Sequence, residues 1–372
     1  MKPTVGNIID MMNKIAPEQW AESWDNVGLQ AGETPAPIDR VLIALEISEP
    51  VIEEAMEKKA GLIITHHPMY LTPPARINDS TGIGRLMLKM IRAGIAHYAA
   101  HTNLDKSTCG PDAALCDILG LTDVTPLSIQ IGEEHYQLVT FGPQEDMQKV
   151  RDALFTAGCG TIGAYGDCSF SGAGTGTFLP GEDTRPHIGK QGKLSEVDEV
   201  RLEVVTPRKS VGNAVAALRA AHPYEEPVID LYPIGIPVPG VGIGRVGALP
   251  TPLRLEELAS IIKDRLGASA VMVSGEADVT VNRLALCAGA GADFVDRAMA
   301  AGADALLTGE IKHHELLDVS HGRFPVIAAG HYHTEAPVMG RLAGRLRQDM
   351  EACGYGAIVG VSERIRAAYR MV

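Results

Sequence analysis

Leu62-Ile63-Ile64-Thr65-His66-His67-Pro68 is the stretch from which the fold can be worked out. An apolar, β-branched run ends abruptly in two adjacent histidines and a proline. Such a run predicts a short, fully buried strand. Neighbours on a strand point to opposite faces, so two histidines within it could not share a ligand. Pro68 pushes His67 toward an extended or turn conformation, which ends the strand. Both imidazoles then fall at the carboxyl edge of a sheet, where open α/β folds bind ligands. Taken alone, the pair reads equally well as metal ligands or as two unrelated histidines in a surface turn.

Working outward, residues 40–45 and 95–100 predict two more strands, and the second runs into His101-Thr102-Asn103-Leu104-Asp105. Helical periodicity covers residues 5–15, 50–59 and 82–93. The C-terminal part repeats this order. Strands at residues 283–287, 304–308 and 325–329 surround a helix at 292–301, and the last two strands meet polar clusters. These are Gly309-Glu310-Ile311-Lys312-His313-His314 and Gly330-His331-Tyr332-His333-Thr334-Glu335. Ala60-Gly61-Leu62-Ile63-Ile64-Thr65 echoes Ala303-Asp304-Ala305-Leu306-Leu307-Thr308. The pattern predicts an α/β fold: a duplicated three-layer α/β/α core whose two similar halves present polar strand ends to one site. Between them, strands at 136–141, 199–205 and 228–232 and helices at 144–157 and 211–221 predict an inserted ferredoxin-like α+β domain. The predicted core is 1–129 with 239–372, and the insert is 130–238. The domain boundaries are expected near residues 127–134 and the Pro/Gly-rich 233–244.

Composition narrows the function. A chain of 372 residues with 45% hydrophobic content can bury real cores, and its formal charge of -13 argues against a nucleic-acid footprint. No apolar run reaches the ~18–20 residues that span a bilayer, and the first residues do not resemble a signal peptide. The six cysteines are scattered and form no CxxC, which suits a reduced cytoplasm.

The candidate metal ligands are His66, His67, Asp105, His331 and Glu335. The spacing of His331 and Glu335 puts both on one face of a helix's first turn, where a carboxylate also suits the helix dipole. Five such donors exceed one closed four-coordinate site and suit two divalent ions with a bridging carboxylate. A shell of nitrogen and oxygen without thiolate favours zinc, iron, manganese, cobalt or nickel, and leaves the choice among them open. The bland alternative is a set of helix caps and solvated loop residues. His101, Lys312, His313 and His314 form a second tier that orients ligands or moves protons, or are ordinary sheet-edge residues. Trp24 reads as a packing anchor, Asp25-Asn26 as a turn or cap, and His222-Pro223-Tyr224-Glu225-Glu226 as a packing or subunit-contact segment.

At these residues the chain resembles the Nif-three-like dinuclear metal-centre proteins, homologues of type-two GTP cyclohydrolase I. The resemblance is carried by Trp24-Asp25-Asn26-Val27-Gly28-Leu29, Thr65-His66-His67-Pro68, His101-Thr102-Asn103-Leu104-Asp105, Thr308-Gly309-Glu310-Ile311-Lys312 and Gly330-His331-Tyr332-His333-Thr334-Glu335. It implies a two-metal site at His66, His67, Asp105, His331 and Glu335, and a toroidal homohexamer. The middle segment resembles the PII and CutA-like insert of longer members, through Gly160–Tyr165, Cys168–Phe170 and Ala221–Pro227. Glu46 departs from the Asp of other members, and Glu310-Ile311-Lys312-His313-His314 from their Asp-Ile-Lys-Tyr-His.

These readings lead to a metal-dependent hydrolase acting on a small nucleotide-like or phosphorylated substrate. The sequence holds no GxxxxGK[ST] phosphate loop. The rival reading is a non-enzymatic metal-binding regulator or metal-handling scaffold.

Overall fold

The computed structural model describes residues 1–132, 134–321 and 324–369. Contacts divide the chain into two compact units, Met1–Gln130 with Pro239–Val372, and Ile131–Val238.

The first unit begins with helix α1 (Val5–Ile15), capped by Thr4 and Asn7 in a reciprocal box. Its buried residues Val5, Ile8, Met12 and Ile15 follow the helical period. Then come β1 (Gly28–Ala31), β2 (Arg40–Ala44), α2 (Glu49–Glu57), β3 (Leu62–Thr65), α3 (Gly82–Arg92) and β4 (Ala96–Ala99). The short α4 (Thr102–Lys106), α5 (Pro111–Leu119) and β5 (Thr122–Ile131) complete this part. Strands β2, β3 and β4 are parallel neighbours, and β1 closes the edge antiparallel to β4.

The second unit runs β6 (His135–Gly142), α6 (Met147–Thr156), β7 (Phe170–Phe178), β8 (Ser195–Pro207), α7 (Val211–Ala221) and β9 (Asp230–Ile234). Its sheet has the order β7-β8-β6-β9 with every pair antiparallel. That chain order and sheet order are those of a split βαβ sandwich. Its core joins Leu138 to Val200, Leu202 and Val204 and to Leu154 and Leu218 of the two helices. Strand β7 was not foreseen in the sequence. It carries Gly172, Gly174 and Gly176 between Phe170 and Phe178, so the middle of one face has no side chains to register a strand pattern.

The first unit resumes with β10 (Pro237–Arg254), α8 (Leu255–Leu266), β11 (Met272–Ser274), β12 (Thr280–Cys287), α9 (Val295–Ala300) and β13 (Ala305–Thr308). It ends with α10 (His313–His321), β14 (Val326–Ala328), α11 (His331–Glu335), α12 (Pro337–Ala352) and β15 (Ile358–Val361). Strands β12, β13 and β14 are parallel, and β11 pairs antiparallel to β14. The order β11-β14-β13-β12 therefore repeats β1-β4-β3-β2. Register agrees as well: Thr65 lies between Ala44 and Ala99, as Thr308 lies between Cys287 and Ala328. The halves differ at the other edge, where β15 extends the first sheet in parallel and β10 extends the second antiparallel.

Alternating residues of the second sheet enter different cores. Leu284, Leu286, Leu307 and Ile327 pack with α5 and α8, whereas Ala285, Leu306 and Val326 pack with α9 and α10. Helices thus cover both faces, which explains why the strands read as unbroken apolar runs. The two boundary segments are largely strand, because β5 and β10 are sheet neighbours. A side chain at Gly242 would strike the Ser128 carbonyl, so glycine there allows two backbones to approach.

Candidate metal centre

Strand β3 delivers His66 and His67 to the sheet edge, where their amides still bond Ala44 and Leu45 carbonyls beside them. Strand β4 delivers His101, and α4 carries Asp105 one turn later. From the other half, the Gly330-His331 step after β14 starts α11, with Glu335 at its end. This α11 is a separate five-residue helix before Pro337 rather than the first turn of a long one. Glu335 closes that helix, so the expected help from an N-terminal dipole is absent.

The imidazoles share one plan. Each Nδ1 faces an oxygen: His66 the Ala100 carbonyl at 3.0 Å, His67 Glu46 at 3.2 Å, His101 Asp25 at 3.0 Å and His331 Glu310 at 3.4 Å. Such partners fix the tautomer and leave Nε2 as the free donor. The Nε2 atoms then converge on carboxylates. Glu335 lies 3.0 Å from His67, 3.1 Å from His331 and 3.7 Å from His66, and Asp105 lies 3.5 Å from His66. Donor atoms of His66, His67 and His101 lie within 4.8 Å of one another, as do those of His67, His331 and Glu335.

Two atoms in this cluster are buried without a hydrogen-bond partner, His66 Nε2 and Glu335 Oε2. The second is close to His67 but off the line a hydrogen bond requires. Buried orphans of this kind cost free energy unless something else satisfies them. A cation of the N/O-preferring class fits the donor set.

The electrostatics agree. Burial by itself raises the Glu335 carboxyl, yet the imidazoles of His331, His66 and His67 outweigh it and hold the group well below the usual carboxylate range. Burial lowers His67, but the carboxylates of Glu335 and Glu46 overcome it and raise the imidazole to about 10. Asp105 is pushed well above its ordinary value, chiefly by burial. Perturbed groups in such density are a pointer to function.

Several expectations change. His101, placed by spacing in the second tier, has its donor among those of His66 and His67. Asp25 does cap α4, accepting from the Thr102 amide at 3.0 Å, and the same carboxylate holds His101. Burial opposes its ionisation, but His101 and Thr102 bring it down to about 2. Trp24 is no packing anchor: it is 58% exposed and stands edge-on to His101 at 6.1 Å. Lys312 and His314 are exposed and turn to Glu315, at 3.8 and 3.9 Å. The shape of α10, which starts at His313, carries them away from the strand end. His333 faces the Leu266 carbonyl and stays out of the cluster.

One contributor went unseen in the sequence. Gly289 has φ +63°, and a Cβ there would collide with Glu335 Oε1. Its signal was a glycine just beyond a strand end, legible only once Glu335 was known to lie against it.

The profile of the Duf34/NIF3 (NGG1p interacting factor 3) family matches residues 3–366. The chain belongs to this family. It is 37% identical over 324 residues to the GTP cyclohydrolase 1 type 2 homolog of Halalkalibacterium halodurans, covering 87% of each chain. To the protein of the same description from Mycobacterium tuberculosis it is 35% identical over 356 residues, 95% of this chain and 93% of that one. Among solved structures it resembles the Bacillus cereus protein related to NIF3, at 32% identity and TM-score 0.73 with all of both chains covered. A Staphylococcus aureus protein, 28% identical, superposes with TM-score 0.84 over both full chains. In this NIF3-family chain no helix among the described residues is long and apolar enough to cross a membrane, and all six cysteines are free.

Proposed function

We propose that His66, His67, His101, His331, Asp105 and Glu335 hold two divalent metal ions, and that the chain is a metal-dependent hydrolase of small nucleotide-like or phosphorylated substrates. The observation that carries this reading is the common plan of the imidazoles: every Nδ1 is occupied, the Nε2 atoms of His66, His67 and His331 face Glu335 or Asp105, and the His101 donor lies among those of His66 and His67. Six donors are more than one four-coordinate ion uses. Divalent ions bound there supply Lewis acidity and lower the pKa of a water toward ~7.

The protein's own groups do the rest. Glu335 faces three imidazoles and presents two oxygens, the one arrangement in the cluster suited to bridging. Glu46, Asp25 and Glu310 hold the ring planes and keep Nδ1 protonated. His66 and Glu335 are 2% and 5% exposed, which keeps bulk water from competing for the inner donors. The printed description of the relatives, GTP cyclohydrolase 1 type 2 homolog, makes ring opening of a guanine nucleotide one reaction of this class to try first.

We further propose that residues 130–238 form a separate domain of PII/CutA-like type inserted between the halves of a 1–129 and 239–372 core. The assembly proposed is a cytoplasmic toroidal homohexamer, which light scattering would report as six chains.

The decisive experiment combines metal analysis of the purified chain with a turnover screen over GTP, phosphoesters and amides. Turnover that disappears in Glu335→Gln supports the hydrolase. Two tightly held ions with no turnover across the screen would replace it with the metal-binding regulator or scaffold.

A further inference from the structure

The Ile131–Val238 unit contains a cavity that the metal chemistry does not use. Strand β7 reads Phe170-Ser171-Gly172-Ala173-Gly174-Thr175-Gly176-Thr177-Phe178, and its period of two puts three glycines and both phenylalanines on one face. Register sets Gly172 beside Arg201 and Gly174 beside Glu199, whereas the core residues of β8 are Val200, Leu202 and Val204. The bare stripe therefore lies on the sheet face turned away from that core.

At the Phe178 end of the stripe is a cavity of about 320 Å³, near the lower limit of the ~300–1,000 Å³ typical of small-ligand sites. Its walls are aromatic. The Phe178 and Tyr224 rings are 6.2 Å apart at 54°, His187 and Tyr224 are 6.2 Å apart at 51°, and Phe141, whose ring the Arg201 guanidinium overlies at 5.6 Å, completes the lining. Its acidic side chains are Glu199, Glu225 and Glu226, and among the described residues no lysine or arginine lines it. Arg219 at the margin, 3.6 Å from Glu226, offsets this in part, and Glu225 accepts the uncharged Arg185 backbone amide. Asp146, 3.7 Å from His187, adds a further acid.

Glu199 is placed deliberately by the backbone. A side chain at Gly176 would collide with its Oε2, so glycine is what lets the carboxylate lie against the strand. Its Oε1 accepts the Tyr224 hydroxyl at 2.6 Å, which leaves Oε2 for a ligand. His222 fixes the segment that carries Tyr224, through bonds to the Phe141 carbonyl and from the Tyr224 amide. The segment read from sequence as packing or subunit contact thus builds one wall of a cavity.

We propose that this cavity binds a small organic cation, with a flat apolar body between the rings and an amidinium, guanidinium or ammonium group at Glu199. Aromatic faces attract cations through their negative quadrupole, and an anion would meet three carboxylates with no lining cation to receive it.

Benzamidine, benzamide and benzoate share one ring and differ in charge, which makes them the probes. Their binding to the full-length, metal-loaded chain is measured by titration calorimetry and saturation-transfer NMR. Benzamidine should bind at least about tenfold tighter than either analogue. Glu199→Gln should lower benzamidine to the level of benzamide and leave benzamide unchanged. Phe178→Ala, which removes a wall without touching charge, should weaken benzamidine and benzamide together, and it serves if the first variant does not fold. Equal binding of the three probes, or benzamidine binding that neither variant alters, would overturn the proposal.

Discussion

Glu335 of α11 and His67 at the end of β3 face each other at 3.0 Å, one from each duplicated half. Neither half can make this contact alone. Because Glu335 also faces His331 and His66, it should be the side chain on which both proposed ions depend. Glu335→Ala should lose tight binding of both equivalents, whereas His331→Ala should weaken mainly one. Calorimetric titration of zinc or manganese into the metal-free proteins checks this. Two tight equivalents in Glu335→Ala would remove it as a bridge.

Gly289 provides a test that leaves every donor in place. Gly289→Ala would force Glu335 aside and put a Cβ at φ +63°, a conformation costing roughly 1–2 kcal/mol for other residues. Metal affinity should fall sharply while the chain stays folded. Affinity matching wild type, with circular dichroism unchanged, would show that Glu335 has another route to the site.

Asp25→Ala leaves His101 without its Nδ1 partner and α4 without its cap. Loss of such an outer carboxylate typically costs about 10–100-fold in metal affinity. The comparison is His101→Ala, which should cost more if His101 is itself a donor. An Asp25 variant that binds as tightly as wild type would show that Trp24 and the chain turn suffice to hold the ring.

Acid sensitivity should come in part from Glu54, which lies outside the histidine–carboxylate cluster. The side chain is 2% exposed and accepts from Lys58 at 2.6 Å, from the Glu363 amide at 3.0 Å and from the Ser362 hydroxyl. Burial raises its carboxyl, but these partners win and bring it from 4.5 to about 2. A depressed folded-state value gives stability that is complete above the unfolded value and is lost as pH falls from 4.5 toward 2. The upper limit is roughly 3–4 kcal/mol at ~1.4 kcal/mol per unit. Urea midpoints of wild type and Glu54→Gln should therefore differ most near neutral pH and converge below pH 3. A gap that stays constant would assign the difference to packing.

Removing residues 131–238 and joining the ends with a short flexible linker should leave a folded chain that binds metal. The described core clusters of the first unit contain no residue of that segment. Sedimentation and metal titration of the deletion test it. An insoluble product, or one without metal, would make the segment part of the core's folding.

The apolar runs, their order and their echo were legible in sequence because a strand buried on both faces has no polar residue to interrupt it. Leu62–Thr65 and Ala305–Thr308 could be matched for that reason, and the polar residues after each had to lie at a sheet edge. Close backbone approach was not legible. Gly242 against Ser128 and Gly176 against Glu199 look, in sequence, like a domain boundary and a glycine-rich loop. Which histidines share a point in space was also hidden. His101 was separable from Lys312 and His314 only after the chain folded, because α4 starts at the strand edge and α10 turns away from it. Sequence alone determined the two strand-edge clusters and the chemistry of their donors. Only the tertiary structure decided that the edges meet, that Glu335 lies between His67 and His331, and that Asp25, Glu46 and Glu310 hold the rings. Those are contacts between residues distant in the chain, which local periodicity cannot encode.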